Sequence, residues 1–531
     1  MRDALLKYQD IKSHLSVKQK VGQLFMLAVF INDTEEEVAQ MEKLIRDHCI
    51  GALCIFHSRA SAATNFEGKK KVVYNENSYD RLKALIDRYQ KASEFPLLIA
   101  MDAEWGLAMR IENTPQYPYA ITLGALQDQK DLIYEVGFHI GMDCKKAGIH
   151  WNLAPVVDIN NNPENPVIGY RSFGDKKEEV KSKAGAYLLG MNDAGILNSL
   201  KHFPGHGDTA TDSHLGLPVI DKSKKELFEN ELYPFIKLLK EEVDSVMVAH
   251  LSLPQLDASE NPSTTSKNII TGLLRDEIGF EGVIISDALN MHAVSKRYLQ
   301  KGGLEVAAFN AGMDMLCFSE HPVEGISQIL DSGSKDAVEK SFKRIWRLKE
   351  KVFGGAVSED KAPSLSHKDL NREIAKNCIT ELWAEKKPLK DWKEHNFLNL
   401  SCGTPIANIF SEGLEKELGS KHYHLGEEAV HEEEHQNAVL ALFPPSVKPK
   451  NNFGIESHIL ENIQKLISKN EVTVYLFGNP YVLDVLEGID AADVIVFYQD
   501  FPDFQEVALQ HFLGKIPALG ELPVQLKTLQ S

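Results

Sequence analysis

The sequence predicts an α/β protein, a TIM-type (β/α)8 barrel followed by a smaller α/β/α sandwich domain. Eight short apolar runs with helical patterns between them precede residue 320, which is typical of βα units and a parallel sheet. A segment rich in small, polar and turn-forming residues follows at 354–369 and is interpreted as a linker. Beyond it, four more apolar runs alternate with helical stretches. We therefore expect a barrel domain at 1–353 and a second domain at 370–531.

The eight runs before the linker are each interpreted as one barrel strand. They are LFMLAV at 24–29, IGALCIF at 50–56, PLLIAM at 96–101, IHWNLAPVV at 149–157, ILNSL at 196–200, SVMVA at 245–249, GVIIS at 282–286 and MDMLCF at 313–318. Eight parallel strands close naturally into a barrel, and a span of about 350 residues fits one with enlarged loops.

The four runs after the linker predict a smaller parallel sheet. They are NFLNLS at 396–401, NAVLALF at 437–443, VTVYLFG at 472–478 and DVIVFY at 493–498. The segment contains no GxGxxG fingerprint and no other glycine-rich phosphate loop. We therefore expect no dinucleotide cofactor in this domain.

Composition excludes several classes of protein. A hydrophobic fraction of 43% with 25% charged residues is ordinary for a globular protein, and the net charge of −18 would repel a nucleic acid. No basic amphipathic stretch would seat the chain on a membrane, and the apolar run LFMLAVFI at 24–31 is too short to span one. The six cysteines form no CxxC pair, and the amino terminus lacks the pattern of a secretory signal. These features favour a cytoplasmic protein with neither nucleic-acid nor membrane partners.

Polar residues directly follow five of the barrel runs. They are Asp102, Asp158, the pair Lys201 and His202, His250 and Asp287. The carboxyl ends of barrel strands are where catalytic residues of this fold collect. We therefore expect a site at this end of the barrel.

The segment KHFPGHGDTATDSHLGLP at 201–218 is predicted to be a loop that carries proton-transfer chemistry. Asp212 and His214 are two residues apart, so the carboxylate can orient the imidazole and favour its protonated form. A histidine so paired can protonate a leaving oxygen and then activate water. Two alternatives are that the loop histidines satisfy backbone groups, or that His202, His206 and His214 bind a metal. The spacing matches no accepted metal-ligand set.

Asp287 follows four apolar residues in GVIISDALNM, so its carboxylate is predicted to point into the barrel mouth. A carboxylate there can form a covalent glycosyl ester that water later opens. The alternative is that Asp287 caps the following helix.

Five ordered motifs together resemble family 3 of the glycoside hydrolases, in particular its β-N-acetylglucosaminidase branch. They are DAEWGLAMR at 102–110, PVVDINNNPENPVIGYRSFG at 155–174, KHFPGHGDTATDSH at 201–214, VMVAH at 246–250 and GVIISDALNM at 282–291. The resemblance implies Asp287 as the nucleophile and His214, assisted by Asp212, as the acid/base. It implies a sugar-binding set of Asp102, Arg110, Arg171, Lys201 and His202, and neither metal nor organic cofactor.

The resemblance also implies the reaction. The histidine loop separates this branch from the β-glucosidases of the family, which implies N-acetylglucosamine as the sugar. The expected reaction is retaining, exo-acting release of β-linked N-acetylglucosamine from a small carbohydrate. In the cytoplasm the resemblance suggests a role in peptidoglycan recycling on muropeptides, with chitin-derived oligosaccharides as the alternative substrates. One departure from the family pattern is that Trp105 replaces a glycine and Leu107 an arginine.

Three other functions are considered on chemical grounds. A phosphorylase could use the same covalent intermediate, since histidine repels incoming phosphate less than a carboxylate would. A β-glucosidase or broader hexosaminidase is the second. A catalytically silent carbohydrate-binding protein is the third, and the retained Asp287, Asp212 and His214 argue against it.

Overall fold

The structure, a computed structural model, describes residues 5–58, 73–209, 216–259, 261–354, 361–382, 396–425 and 437–529. Contacts divide the chain into two compact units. The first comprises residues 1–117, 136–159 and 184–363, and the second comprises 118–135, 160–183 and 364–531. Two segments that precede the linker in sequence therefore pack with the carboxyl-terminal part of the chain.

The first unit is built on parallel strands. They are β1 Phe25–Phe30, β2 Ala52–Phe56, β3 Leu98–Met101, β4 Trp151–Asn152, β5 Leu200–Phe203, β6 Ser245–Val248, β7 Val283–Ser286 and β8 Leu316–Cys317. One sheet has the order β4-β3-β2-β1-β8 and the other β5-β6-β7. Isolated parallel bridges join Trp151 to Leu197, Val156 to Lys201 and Ile285 to Met315. The first unit is thus an α/β structure with curled parallel sheets.

Most of the strand residues are apolar, because both faces of these sheets are buried. Every residue of these eight strands is buried except Phe56, which ends β2 and is partly exposed. Strands buried on both faces are expected to be near-continuous apolar runs, which is the pattern that revealed them in the sequence.

The fifth strand lies further along the chain than predicted. The apolar run at 196–200 was expected to end before Lys201 and His202, but β5 begins at Leu200 and contains both residues. Leu200 pairs with Val246 and Phe203 with Val248, with a register shift between them. The prediction of this boundary was wrong because pairing with β6, rather than side-chain polarity, decides where the strand runs.

The second unit contains a mixed sheet with the order β11-β10-β12-β13-β14-β9. Its strands are β9 Thr380–Leu382, β10 Phe397–Gly403, β11 His422–His424, β12 Asn437–Phe443, β13 Glu471–Leu476 and β14 Asp493–Val496. Neighbouring pairs are parallel apart from β14 with β9. The four predicted runs correspond to β10, β12, β13 and β14, whereas the three-residue edge strands β9 and β11 were missed.

Helices follow most of the strands. The α-helices are Tyr8–Ile11, Val17–Gly22, Glu35–His48, Ser78–Ala92, Ala120–Gly124, Lys130–Ala147, Lys177–Ala194, Lys224–Glu229, Tyr233–Leu238, His292–Ser295, Gly303–Ala311, Pro322–Ser332, Lys335–Phe353, His367–Cys378, Ile409–Leu418, Lys450–Phe453, Ser457–Lys469 and Pro502–Phe512. Asn268–Glu277 is a π-helix. Thr34 begins the helix after β1 with a capping box that it forms with Glu37. Among the described residues, none of the helices has both the length and the apolarity that a bilayer span requires.

Candidate active site

A cluster of four charged side chains lies where β3 and β5 meet the loop after β3. The Lys201 ammonium donates to Asp102 Oδ1 at 2.8 Å and contacts Glu104 Oε1 at 2.7 Å. The Arg110 guanidinium donates to Asp102 Oδ2 at 3.1 Å. The Lys201 side chain is only 2% exposed. Three predicted sugar-binding residues are thus brought together, and each carboxylate oxygen of Asp102 has a cationic donor.

The charges of this cluster determine the ionisation of Asp102. Burial alone would raise the pKa of its carboxyl, but the adjacent Lys201 and Arg110 cations outweigh burial and hold the pKa below its usual value. Asp102 is therefore a carboxylate at neutral pH, and it can accept hydrogen bonds from the hydroxyls of a ligand.

Glu104 is a site residue that the sequence reasoning did not single out. It lies two residues after Asp102, and the Tyr187 hydroxyl donates to its backbone carbonyl at 3.0 Å. Gly106 turns the loop with a φ of +97°, and a Cβ there would come within 2.9 Å of the Pro115 carbonyl oxygen. A second acidic residue so close to Asp102 could have indicated a site residue. Its partner Lys201, however, is distant in sequence.

A second cluster surrounds Asp158, which is fully buried. Its carboxylate accepts from His202 Nδ1 at 2.7 Å, from the His202 backbone N–H and from the His206 backbone N–H at 2.7 Å. Burial raises the pKa of the Asp158 carboxyl, but His202 and the His206 backbone N–H lower it more. Asp158 therefore orients the His202 ring, which is the predicted sugar ligand.

His206 is a neutral imidazole in this cluster. Burial and the neighbouring His202 lower its pKa to about 4, while the negative charges of Asp158 and Asp287 act in the opposite direction. Its Nδ1 shares a 2.8 Å hydrogen bond with the Thr209 hydroxyl. His206 therefore lies within electrostatic range of Asp287 without carrying a charge at neutral pH.

Burial of His206 predicts a loss of stability in acid. Its folded pKa of about 4 lies below the ordinary 6.5, so between these values the unfolded chain binds a proton that the folded chain does not. Lowering the pH from 6.5 to 4.5 should cost about 2 kcal/mol of unfolding free energy through this group. Urea unfolding at the two pH values should show a smaller loss in His206→Asn. The exposed His458 provides the control variant, and an unchanged pH dependence in His206→Asn would contradict the assignment.

Asp287 directly follows β7, as predicted. Its backbone N–H donates to the Val248 carbonyl at 2.9 Å, and its Oδ1 accepts from the Ala288 backbone N–H at 2.7 Å. The buried His250, which follows β6, donates Nε2–H to the Ala288 carbonyl at 2.9 Å. The turn that carries Asp287 is therefore held by groups from β6.

Asp287 and Asp102 influence the same buried thiol. The pKa of Cys317 is raised first by its contact with Cys54 and by burial, and the negative charges of Asp102 and Asp287 raise it further. Strand register also places both carboxylates on one face, because Asp287 and Cys317 each lie two residues beyond the paired residues Ile285 and Met315. Through β1 and β2 the same face continues from Cys317 to Ala100, two residues before Asp102. The proposed nucleophile and the charged cluster thus lie on the same face of the parallel strands.

The other predicted site residues have separate placements. Arg171 ends a 3-10 helix of the second unit, where its guanidinium donates to the Val167 carbonyl at 3.2 Å. Asp212 and His214 lie outside the described residues. Of the two departures from the family pattern, Leu107 is buried, at 2% exposure, and Trp105 is partly exposed. Leu107 therefore contributes to the core.

The alternative of a metal site on His202, His206 and His214 includes one residue, His214, that lies outside the described residues. Within the described ranges, no group of three or more His, Cys, Asp or Glu side chains is arranged to hold a metal ion. His202 and His206 each use Nδ1 for a hydrogen bond within the protein.

Known proteins are similar to this chain over most of its length. Residues 16–348 match the glycosyl hydrolase family 3 N terminal domain. Beta-hexosaminidase A of Pseudoalteromonas piscicida is 31% identical over 376 residues, which are 65% of this chain and 61% of that protein. The beta-hexosaminidase of Tolumonas auensis is 36% identical over 252 residues, which are 46% of this chain and 73% of that protein.

Solved structures extend the similarity to the second unit. A family 3 beta-N-acetylglucosaminidase from Paenibacillus sp. str. FPU-7 aligns with a TM-score of 0.77 and 28% identity, over 96% of this chain and 99% of that one. A beta-glucoside phosphorylase shares the fold, with a TM-score of 0.81 and 20% identity over 99% of this chain and 98% of that one. Because the family model covers more than half of its residues, the chain belongs to glycosyl hydrolase family 3.

Proposed function

We propose that this protein is a retaining, exo-acting β-N-acetylglucosaminidase that hydrolyses terminal β-linked N-acetylglucosamine. The observation that carries the proposal is the strand register, which puts Asp287 on the same face as the cluster formed by Asp102, Lys201 and Arg110. The names of the relatives, beta-hexosaminidase and beta-N-acetylglucosaminidase, support the same sugar.

The cluster suits a sugar because charged groups with fixed geometry select hydroxyls. Lys201 and Arg110 can each donate to a hydroxyl oxygen, and Asp102 can accept from a hydroxyl hydrogen. His202, held by Asp158, belongs to the same proposed binding set. Arg171 is a further proposed sugar ligand that rests on the family resemblance alone. A site built to hydrogen-bond hydroxyls rejects analogues that lack them, because buried polar groups would then be left unpaired.

The proposed mechanism has two displacement steps. A carboxylate oxygen of Asp287 attacks the anomeric carbon while His214 protonates the departing glycosidic oxygen, so the glycosidic bond breaks as a glycosyl ester forms. His214 then takes a proton from water, whose oxygen opens the ester at the anomeric carbon and releases Asp287 as a carboxylate. Asp212 is proposed to assist His214 in both proton transfers.

We further propose that the eight strands of the first unit form a closed (β/α)8 barrel at 1–353, joined through 354–369 to an α/β/α sandwich domain at 370–531. The isolated bridges between the two sheets of the first unit support closure. The proposed substrates are muropeptide fragments in the cytoplasm. The protein would then act in peptidoglycan recycling, a role that the family resemblance suggests. Neither metal nor organic cofactor takes part in the proposed reaction.

A panel of defined glycosides tests the function. We expect release of N-acetylglucosamine with retained β-configuration from chitobiose and from a disaccharide ending in anhydromuramic acid, and far slower cleavage of the matching β-glucosides. Reactions with and without inorganic phosphate separate hydrolysis from phosphorolysis, since only the latter yields a sugar phosphate. Equal rates on plain glucosides, or sugar phosphate as the main product, would overturn the proposal.

A further inference from the structure

Three phenylalanines meet at the carboxyl ends of neighbouring strands. Phe30 ends β1, Phe56 ends β2 and Phe318 directly follows β8. Their ring centroids are 6.0 Å apart for Phe30 and Phe56, 6.1 Å for Phe30 and Phe318, and 5.2 Å for Phe56 and Phe318. We call this group the aromatic triad. Aromatic rings at such distances form a continuous apolar surface.

Strand register places the aromatic triad on the same face as Asp102. In a strand, side chains two residues apart lie on one face, and register partners in neighbouring strands share it. Cys54 pairs with Ala100. Phe56 and Asp102 lie two residues beyond this pair, so their side chains lie on the same face as Cys54 and Ala100. Phe30 is the register partner of Phe56. The apolar surface and the charged cluster therefore end on the same side of the sheet.

Arg110 joins the aromatic triad to the charged cluster. Its guanidinium carbon lies 5.3 Å from the centroid of the Phe56 ring, and the same guanidinium donates to Asp102 Oδ2 at 3.1 Å. Stacking on the Phe56 ring restricts the orientation of the planar Arg110 guanidinium. The triad thus begins immediately beyond the groups that are proposed to bind hydroxyls.

The backbone at Phe318 adopts a conformation that bulky residues avoid. Its φ is +52°, in the left-handed region, while its N–H donates to the Met26 carbonyl at 2.8 Å. A phenylalanine there is strained, and such residues cluster at functional sites, where the surrounding structure holds them. The strained turn directs the ring toward Phe30 and Phe56, although Phe318 would face the other side in a continued strand.

Space for a ligand adjoins the aromatic triad. Phe56 and Phe318 are partly exposed, whereas Phe30 behind them is 5% exposed. Phe30 and Phe318, but not Phe56, line a cavity of about 390 Å³ that extends from Asn290, three residues after Asp287, to Met41 on the helix after β1. Cavities of this order accommodate small ligands.

We propose that the aromatic triad binds the apolar C–H face of the sugar on the leaving-group side of the scissile bond. This inference rests on the proposed function. A pyranose ring presents hydroxyls at its edge and C–H groups on its faces. The charged cluster forms hydrogen bonds with the hydroxyls of the terminal sugar. The aromatic surface, on the other side of Arg110, packs against the sugar ring of the leaving group.

Phe318→Asn tests the proposal, because asparagine tolerates a positive φ and removes the aromatic ring. We expect kcat/KM for chitobiose to fall roughly tenfold, the scale of one lost ring contact, while methyl β-N-acetylglucosaminide, whose leaving group has no ring, keeps its rate. Phe318→Tyr retains the ring and should keep both rates. Phe228→Asn, which removes a partly exposed ring outside the triad, is the matched control.

An equal loss on both substrates would assign the aromatic triad to the terminal-sugar site or to stability, and would overturn the proposal. Unchanged kcat/KM for chitobiose would overturn it as well. Failure of the proposed function is distinguishable, because the wild-type protein would then release N-acetylglucosamine from neither substrate.

Discussion

Asp287→Ala is expected to lower kcat on an aryl β-N-acetylglucosaminide by about 10⁴-fold, because the carboxylate that forms the glycosyl ester is lost. The Asp287 backbone is held by the Val248 carbonyl, and Ala288, which donates to its carboxylate, is held by His250. The fold should therefore survive the change. Initial rates of phenol release, with circular dichroism of the folded variant, measure the effect.

Azide makes this prediction specific to a nucleophile. In the Asp287→Ala variant, azide can occupy the space of the lost carboxylate and attack the anomeric carbon once, so the product is the α-glycosyl azide and the rate recovers in part. Asp276→Ala, at an exposed position of the π-helix, should retain the wild-type rate. A full rate in Asp287→Ala, or a β-glycosyl azide as the rescue product, would contradict the assigned role.

Lys201→Met is expected to destabilise the protein by about 3 kcal/mol and to abolish activity, because it removes the cation that two carboxylates share. Asp102 retains Arg110, but the Glu104 carboxylate, 8% exposed, loses its 2.7 Å contact with the Lys201 ammonium. Urea unfolding and the rate on chitobiose measure the two effects.

A second substitution separates stability from binding. Lys201→Met combined with Glu104→Gln removes the buried negative charge together with its partner, so much of the lost stability should return. Activity should not return, since Arg110 remains but the Lys201 ammonium that is proposed to donate to a sugar hydroxyl is still missing. Lys224→Met is the control, because the Lys224 side chain is 53% exposed in its pair with Glu277 and should contribute under about 1 kcal/mol. Wild-type stability in Lys201→Met would contradict the shared-cation interpretation.

Strands were predictable where the chain buries both of their faces. The runs that became β1, β7 and β12 are nearly continuous in Val, Ile, Leu, Phe and Ala, a pattern that needs no partner to be recognised. The three-residue strand β11, with the sequence HYH, carries no such signal. It exists because β10 offers a free edge with which it pairs, from Asn399 with His422 to Ser401 with His424. Edge strands of this kind depend on their neighbour rather than on composition.

The residues of the candidate site likewise fall into those that could be predicted from the sequence and those that could not. Asp102 and Asp287 could be named from their positions after apolar runs, and the ordered motifs identified the family that the family model confirms. The pairing of Glu104 with Lys201 and the support of the Asp287 turn by His250 could not be found, because each depends on a partner far away in the chain. Lys201 lies 99 residues from Asp102, and His250 lies 38 residues from Ala288.

The sequence by itself determined which chemical groups the strand ends present, since strand burial and turn chemistry are local properties of the chain. Only the tertiary structure decided how those groups are paired. It brought the Lys201 cation between two carboxylates, turned Phe318 toward Phe30 and Phe56, and lowered the pKa of His206 by burial. These effects arise from charge, contact and desolvation between segments distant in sequence, which have no signature in either segment alone.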